Sequence, residues 1–171
     1  MTTLELIKMT LRKLDRPTDN DTVALYKERL LGYLNEAMLD LTAELRPWRR
    51  DTLAVTSGQA DLSGLPRVCL KVLAARIDGQ RQLFYYGATR STLLFPGVGD
   101  GTVEITYRYQ PDQLTELTDE PQLPTGLQGL LVEYAASQNA ARLDLTLYRE
   151  LKGKLRRNYP APDLSQIYHM Y

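Results

Sequence analysis

The chain has 171 residues, 43% hydrophobic and 25% charged, the ordinary composition of a soluble domain with a buried core. Its 21 Lys and Arg balance 21 Asp and Glu, which argues against a protein that grips nucleic acid mainly by neutralising phosphate. One cysteine, Cys69, excludes an internal disulfide and a CxxC-type metal site, and one histidine, His169, leaves little for acid–base chemistry.

Residues 1–46 read as helix. Leu4, Ile7, Leu11 and Leu14 recur at spacings of three and four, the stripe of a short amphipathic helix. Arg16-Pro17 ends it, because the residue before proline avoids helical angles. Asp19-Asn20-Asp21 offers side-chain oxygens to cap a longer second helix. Leu30, Leu34, Ala37, Met38, Leu41 and Leu45 lie on one face of that helix, and Pro47 marks its end. Trp48 is expected to wedge the helices against the next segment of the chain. The lone cysteine fits intracellular folding, and the charged Glu5, Lys8, Arg12 and Lys13 speak against a signal peptide. No apolar run approaches the roughly 18–20 residues of a membrane helix.

The period then changes, and residues 52–109 read as strand and turn. Thr52 to Thr56 is strand-like, and Ser57-Gly58 turns it back towards Leu62. Ser63 to Pro66 breaks the pattern again. Val68 to Ile77 is a largely apolar strand, and Asp78-Gly79 predicts a two-residue hairpin with Leu83 to Tyr86 as its return. Leu93 to Phe95 forms another short strand. Val103, Ile105, Tyr107 and Tyr109 alternate with polar residues, the pattern of a half-buried strand. Five or six short antiparallel strands imply a small sheet or partial barrel.

Pro111 to Pro124 is a polar connector carrying Asp112, Glu116, Asp119 and Glu120. Helix returns after Pro124, with Leu127, Leu130, Leu131 and Tyr134 on its face. Ala135, Ala136, Ala140 and Ala141 are small enough for another helix to approach closely. Leu147, Tyr148, Leu151 and Leu155 continue a stripe in the last helix. The resulting class is α+β: helices from both ends of the chain (1–47 and 111–157) form a bundle, with a small antiparallel lobe (48–110) inserted and an extended tail (158–171).

Candidate chemistry is sparse. Gly97 to Gly101 lacks the following helix and the Lys-Ser/Thr of a phosphate loop, so it reads as a hairpin loop. Asp15, Asp19 and Asp21 lack the turn glycine and distal glutamate of a calcium loop. Glu116, Asp119 and Glu120 show no sign of the rigid spacing an acid–base pair needs. His169 lies at a frayed position, and Cys69 reads as a small buried side chain. We therefore expect no catalytic residue, no cofactor and no metal site.

Two segments point to partners. Arg142 to Arg157 carries Arg142, Arg149, Lys152, Lys154, Arg156 and Arg157 against Asp144 and Glu150. This basic helix end complements the helix dipole, and it also suits DNA or an acidic neighbour. In the tail, Tyr159, Ile167, Tyr168, Met170 and Tyr171 are of the kind enriched at contact centres. Pro160 and Pro162 stiffen its start and lower the entropy lost on docking.

The order of these elements resembles the head–tail adaptor (connector, or head-completion) proteins of tailed bacteriophages. The likeness runs through Tyr26-Lys-Glu-Arg-Leu-Leu-Gly-Tyr-Leu-Asn35-Glu-Ala-Met, Arg46-Pro-Trp-Arg, Leu65-Pro66 and the Asp78-Gly79 hairpin. It continues through Tyr107-Arg-Tyr-Gln-Pro111-Asp-Gln-Leu114 and Asp119-Glu-Pro-Gln-Leu-Pro124, which leads into a Leu-Leu-Val-Glu-Tyr-Ala helix. The resemblance implies a ring, typically of twelve copies, beneath the portal. That ring extends the channel for packaged double-stranded DNA and receives the next neck or tail protein. It implies a location in the virion, at the head–tail junction, after assembly in the host cytoplasm, and a tail that docks on the portal or a neighbouring subunit. A head-to-tail ring needs two different complementary surfaces on each subunit, for which Arg142–Arg157 and Asp112–Glu120 are candidates. Rival readings are another virion component, such as a tail-completion or baseplate protein, and a small nucleic-acid-binding module using the basic last helix.

Overall fold

Helix α1, Thr3–Lys13, starts at a reciprocal cap. The Thr2 hydroxyl accepts from the Glu5 N–H at 3.3 Å, and the Glu5 carboxylate accepts from the Thr2 N–H at 2.8 Å. The computed structural model that shows this describes residues 1–140, 144–159 and 161–162. The helix stops before Pro17: Asp15 takes a left-handed conformation (φ 53°), and the Arg16 N–H closes back on the Leu11 carbonyl at 2.9 Å. Its buried face is Thr3, Leu6, Ile7, Thr10 and Leu11, with the expected Leu4 and Leu14 only half-buried at the margins. Thr10 joins the buried set because its hydroxyl donates to the Leu6 carbonyl at 2.9 Å.

Helix α2, Asn20–Leu45, is capped by Asp19, which accepts from the Thr22 N–H at 3.0 Å and the Thr22 hydroxyl at 2.9 Å. It ends at Arg46, again left-handed (φ 51°), ahead of Pro47. Helices α3, Thr125–Asn139, and α4, Thr146–Asn158, come after the connector. Residues 1–45 and 111–159 form one compact unit. All four helices contribute to its core: Leu6 and Leu11 from α1, Leu34 and Leu41 from α2, Leu131 and Ala135 from α3, and Tyr148 from α4. Two expected core positions fall outside it. Leu147 is half exposed and Ala140, beyond the end of α3, is exposed; Ala141 lies outside the described residues.

Residues 46–110 form a second compact unit with its own core. Strands β1 (Trp48–Val55), β7 (Gly101–Gln110), β3 (Val68–Ile77) and β4 (Gln80–Gln82) make one sheet in that order. Strands β2 (Gln59–Asp61), β6 (Thr92–Leu94) and β5 (Tyr85–Tyr86) make a second. All pairings are antiparallel. Both sheets feed one core, in which Leu53, Leu93, Val103, Ile105 and Tyr107 are buried.

Three expectations need correction. Strand β1 begins at Trp48, not Thr52, because it is an edge strand and tolerates the polar run Arg49-Arg50-Asp51. Trp48 is therefore a strand residue, paired with Arg108 of β7. The Asp78-Gly79 hairpin forms as expected, with both φ positive (51° and 77°), but its return is Gln80–Gln82. Tyr85-Tyr86 leaves that ladder and pairs with β6 in the other sheet. Thr106 is buried despite its polar place in the alternation.

A second tight turn at Ser57-Gly58 joins β1 to β2, with φ of 51° and 73°. Thr56 and Gln59 exchange both backbone hydrogen bonds across it, at 2.8 and 3.0 Å. A Cβ on Gly58 would stand 2.9 Å from the Val98 carbonyl oxygen and 3.2 Å from that of Phe95. Gly58→Ala is therefore expected to destabilise the β unit by about 1–3 kcal/mol, from strain plus clash. A chemical denaturation curve measures this; an unchanged midpoint would contradict the turn geometry.

Candidate partner-binding surfaces

The acidic connector is not a free solvated loop. Its carbonyls at Asp119 and Leu117 accept from the Thr3 and Leu4 N–H groups, at 2.7 and 2.9 Å. These donors open α1 and have no partner within the helix. The Thr3 hydroxyl also donates to the Asp119 carbonyl, at 3.0 Å. Asn35 on α2 binds Leu114 in both directions, its amide donating to the carbonyl at 2.9 Å and its oxygen accepting at 2.8 Å. Leu114 and Leu123 are buried. The buried Gln128 amide donates to the Leu123 carbonyl at 3.2 Å, and its oxygen accepts from the Met1 ammonium at 3.1 Å.

These bonds sort the four acidic candidates. Asp119 turns inward on its own loop, accepting from the N–H groups of Thr115 and Glu116, both at 2.8 Å. Those backbone bonds hold its carboxyl below the usual carboxylate range. Asp112 exchanges bonds with Gln122, and Glu116 lies 3.6 Å from the Lys27 ammonium. Glu120 is exposed. Asp112 and Asp119 are thus engaged in shaping the connector, while Glu116 and Glu120 stay exposed.

The basic candidates divide similarly. Lys152 points into the helical unit, its side chain 14% exposed, with Asp40 at 2.8 Å and Glu44 at 2.6 Å. It also stands 5.2 Å from the centre of the Tyr148 ring, which packs edge-on against Tyr134. The Tyr148 hydroxyl donates to the same Asp40 carboxylate. Arg156 adds a bond to Glu44 at 3.1 Å, and Lys154 pairs with Glu150 one turn away. Arg149 and Arg157 are exposed. Lys152 is therefore a clamp of α4 onto α2 and not part of an outward basic face. Arg142 lies outside the described residues.

Of the tail candidates, Tyr159 is half-buried and packs on the helical core, and Asn158 is the last residue of α4. The expected tail thus loses its first two residues to the helical unit. Pro162 is half-buried, while Pro160, Ile167, Tyr168, His169, Met170 and Tyr171 lie outside the described residues. Gly97–Gly101 leads into strand β7, and the Asp100 carboxylate accepts from the Ser57 N–H at 2.6 Å. Burial pushes the Cys69 thiol up to about 11, the opposite of a reactive cysteine. Among the described residues no group of three or more His, Cys, Asp or Glu side chains is placed to hold a metal ion. No helix among them is long and apolar enough to cross a membrane.

Two surfaces went unnoticed in the sequence. On α2, Asp21, Leu25, Glu28, Gly32, Glu36 and Leu39 recur at intervals of three and four; all lie on its outward face, with Leu25 exposed by 78%. In the β unit, Val68 and Leu70 are more than half exposed at the start of β3, beside Arg67 and Lys71. The first has its own sequence signal, the same helical spacing that marks the inward stripe of α2.

The Asp40 cluster gives a test. Burial pushes the Asp40 carboxyl up, but hydrogen bonds from Lys152 and Tyr148 outweigh that and hold it below its ordinary value. A depressed carboxylate stabilises the fold above its unfolded pKa, about 4, and loses that contribution as pH falls through the folded value. Tyr148→Phe removes the hydroxyl donor and is expected to cost about 1 kcal/mol at pH 7. The difference from the parent should narrow in thermal melts taken below about pH 4. A gap that does not change with pH would show that the hydroxyl bond is not what holds α4.

The sequence model of one family, described as SU10 adaptor protein, matches residues 1–164. No curated protein matches the chain. With the match covering both compact units, the chain belongs to the SU10 adaptor protein family, a family of phage head–tail adaptors.

Proposed function

We propose that the protein is a non-enzymatic structural part of a phage neck, assembling as a ring of about twelve copies below the portal. The family match over residues 1–164 carries this reading. The ring extends the channel for packaged DNA, connects head to tail and offers its far face to the next neck or tail protein. It resides in the virion, at the head–tail junction. The architecture supports a mechanical role. Polar side chains of the connector and of α4 are taken up by bonds that tie the helical unit together, such as Asn35 to Leu114 and Lys152 to Asp40 and Glu44. Burial holds Cys69 in its unreactive form.

The tail beyond Tyr159 is the proposed portal contact, with Ile167, Tyr168, Met170 and Tyr171 as apolar anchors. Because Tyr159 packs on the helical core, a clean truncation starts at Pro160. Deleting residues 160–171 should leave the melting temperature within a few degrees of the parent and abolish binding to the portal protein of the same phage. Electron microscopy of mixtures with that portal reads both ring formation and position. Undiminished attachment of the truncated chain would remove the tail from this role, and copies found only at the distal tail would remove the neck assignment.

A further inference from the structure

Charge is segregated along this neutral chain. Residues 46–110 contain nine Lys and Arg against five Asp and Glu, whereas residues 1–45 and 111–159 contain twelve against fifteen. Each excess has a local focus with exposed apolar groups beside it. On α2 the focus is the outward face of Asp21, Leu25, Glu28, Gly32, Glu36 and Leu39. The cation Arg29 lies at its margin and donates to Asn139 at 3.3 Å. Large exposed leucines between carboxylates are costly on a lone helix and suited to a contact.

In the β unit the focus is the start of β3. Lys71 faces Arg108 across the β3–β7 ladder, a like-charged cross-strand pair that an anionic partner would relieve. Val68 and Leu70 flank it, exposed. Tyr86 stands alongside, its hydroxyl accepting from the Val72 N–H at 3.2 Å. Strand β4 pairs only with Ala75 to Ile77, so among the described residues the Val68–Val72 stretch has no strand neighbour on that side.

We propose that, in the ring proposed above and presupposing it, the outward face of α2 in one copy docks on the Val68–Lys71 surface of the next. The occupant of each surface is thus a second copy of this chain. Glu28 meets Lys71 and Arg108, with Glu36, which also accepts from the Tyr134 hydroxyl at 3.3 Å, at the rim, while Leu25 and Leu39 meet Val68, Leu70 and Tyr86. Because the two surfaces differ, the contact is head-to-tail, the kind that builds a ring when the rotation between copies closes. Gly32 lies midway between the two leucines, and a Cβ there would meet nothing within 4 Å among the described residues. A glycine inside a helix lowers its stability, and nothing among the described residues requires one here. A neighbour approaching closely at that point accounts for it.

The experiment uses the full chain, alone and with its portal, followed by sedimentation velocity and electron microscopy. Glu28→Lys and Lys71→Glu should each lower ring formation by about tenfold or more, and the double variant should recover it. Lys71→Glu turns the like pair with Arg108 into an attractive one, so its melting temperature should not fall. Gly32→Gln should raise the melting temperature and still block rings, a combination that misfolding cannot produce. Full rings from both single variants overturn this contact and leave the neck assignment standing. Rings retained by Lys71→Glu with loss of portal or DNA binding instead would assign the β3 surface to that other partner and overturn it too. A parent chain that forms no ring on the portal overturns the neck assignment itself, and this contact with it.

Discussion

The helical unit is assembled from two stretches that the chain separates by the whole β unit, and its integrity rests on the bonds that rejoin them. The two N–H groups that open α1 would be orphan donors in an isolated helix. Here they are received by carbonyls of the connector at Leu117 and Asp119. The Asn35–Leu114 exchange and the Gln128 bridge reinforce the same seam. Each bond contributes only about 1 kcal/mol, but losing one partner leaves a buried polar group unpaired, at a cost of roughly 1–3 kcal/mol. Polar matching thus fixes the register in which the apolar faces of α1, α2 and α3 meet.

The last helix is held by the same kind of polar matching. Burial works against both Asp40 and Lys152, yet the hydrogen bonds between them win, keeping the carboxyl low and the ammonium high. The group is only partly buried, so the clamp contributes modestly to stability. Its larger effect is orientation: with Lys152 drawn inward, the exposed cations of α4 are left as Arg149, Lys154, Arg156 and Arg157. A helix that reads as strongly basic in sequence therefore presents a smaller charge than its composition suggests.

Long-period features were legible in the residues. The α2 stripe from Leu30 to Leu41, the proline-bounded helix ends and the Asp78-Gly79 hairpin all come from local spacing and backbone preference. What escaped was set by non-local pairing. The charged run Arg49-Arg50-Asp51 hides the start of β1, which only its ladder with β7 reveals. Tyr85-Tyr86 looks like the hairpin return, but register with Leu93 and Leu94 draws it into the other sheet. The T-x-x-E of Thr2 and Glu5 was a readable cap that alternation of apolar residues overshadowed. For the candidate sites, residue type marked Lys152 and Asp119 as surface charge, and only their bonding partners show them turned inward. The tail residues beyond Pro162 stand as the sequence leaves them.

The split of the helical unit also bears on synthesis. Residues 46–110 are contiguous, so their core can close as soon as they leave the ribosome. Helices α1 and α2 emerge first but must wait for α3 and α4. At typical translation rates of about 5–20 residues per second, that delay is on the order of 10 s. Throughout it, Leu6, Leu34 and Leu41 lack the leucines that eventually cover them. Until the closing helices arrive, α1 and α2 therefore present an apolar surface of the kind that nascent chains must shield from aggregation.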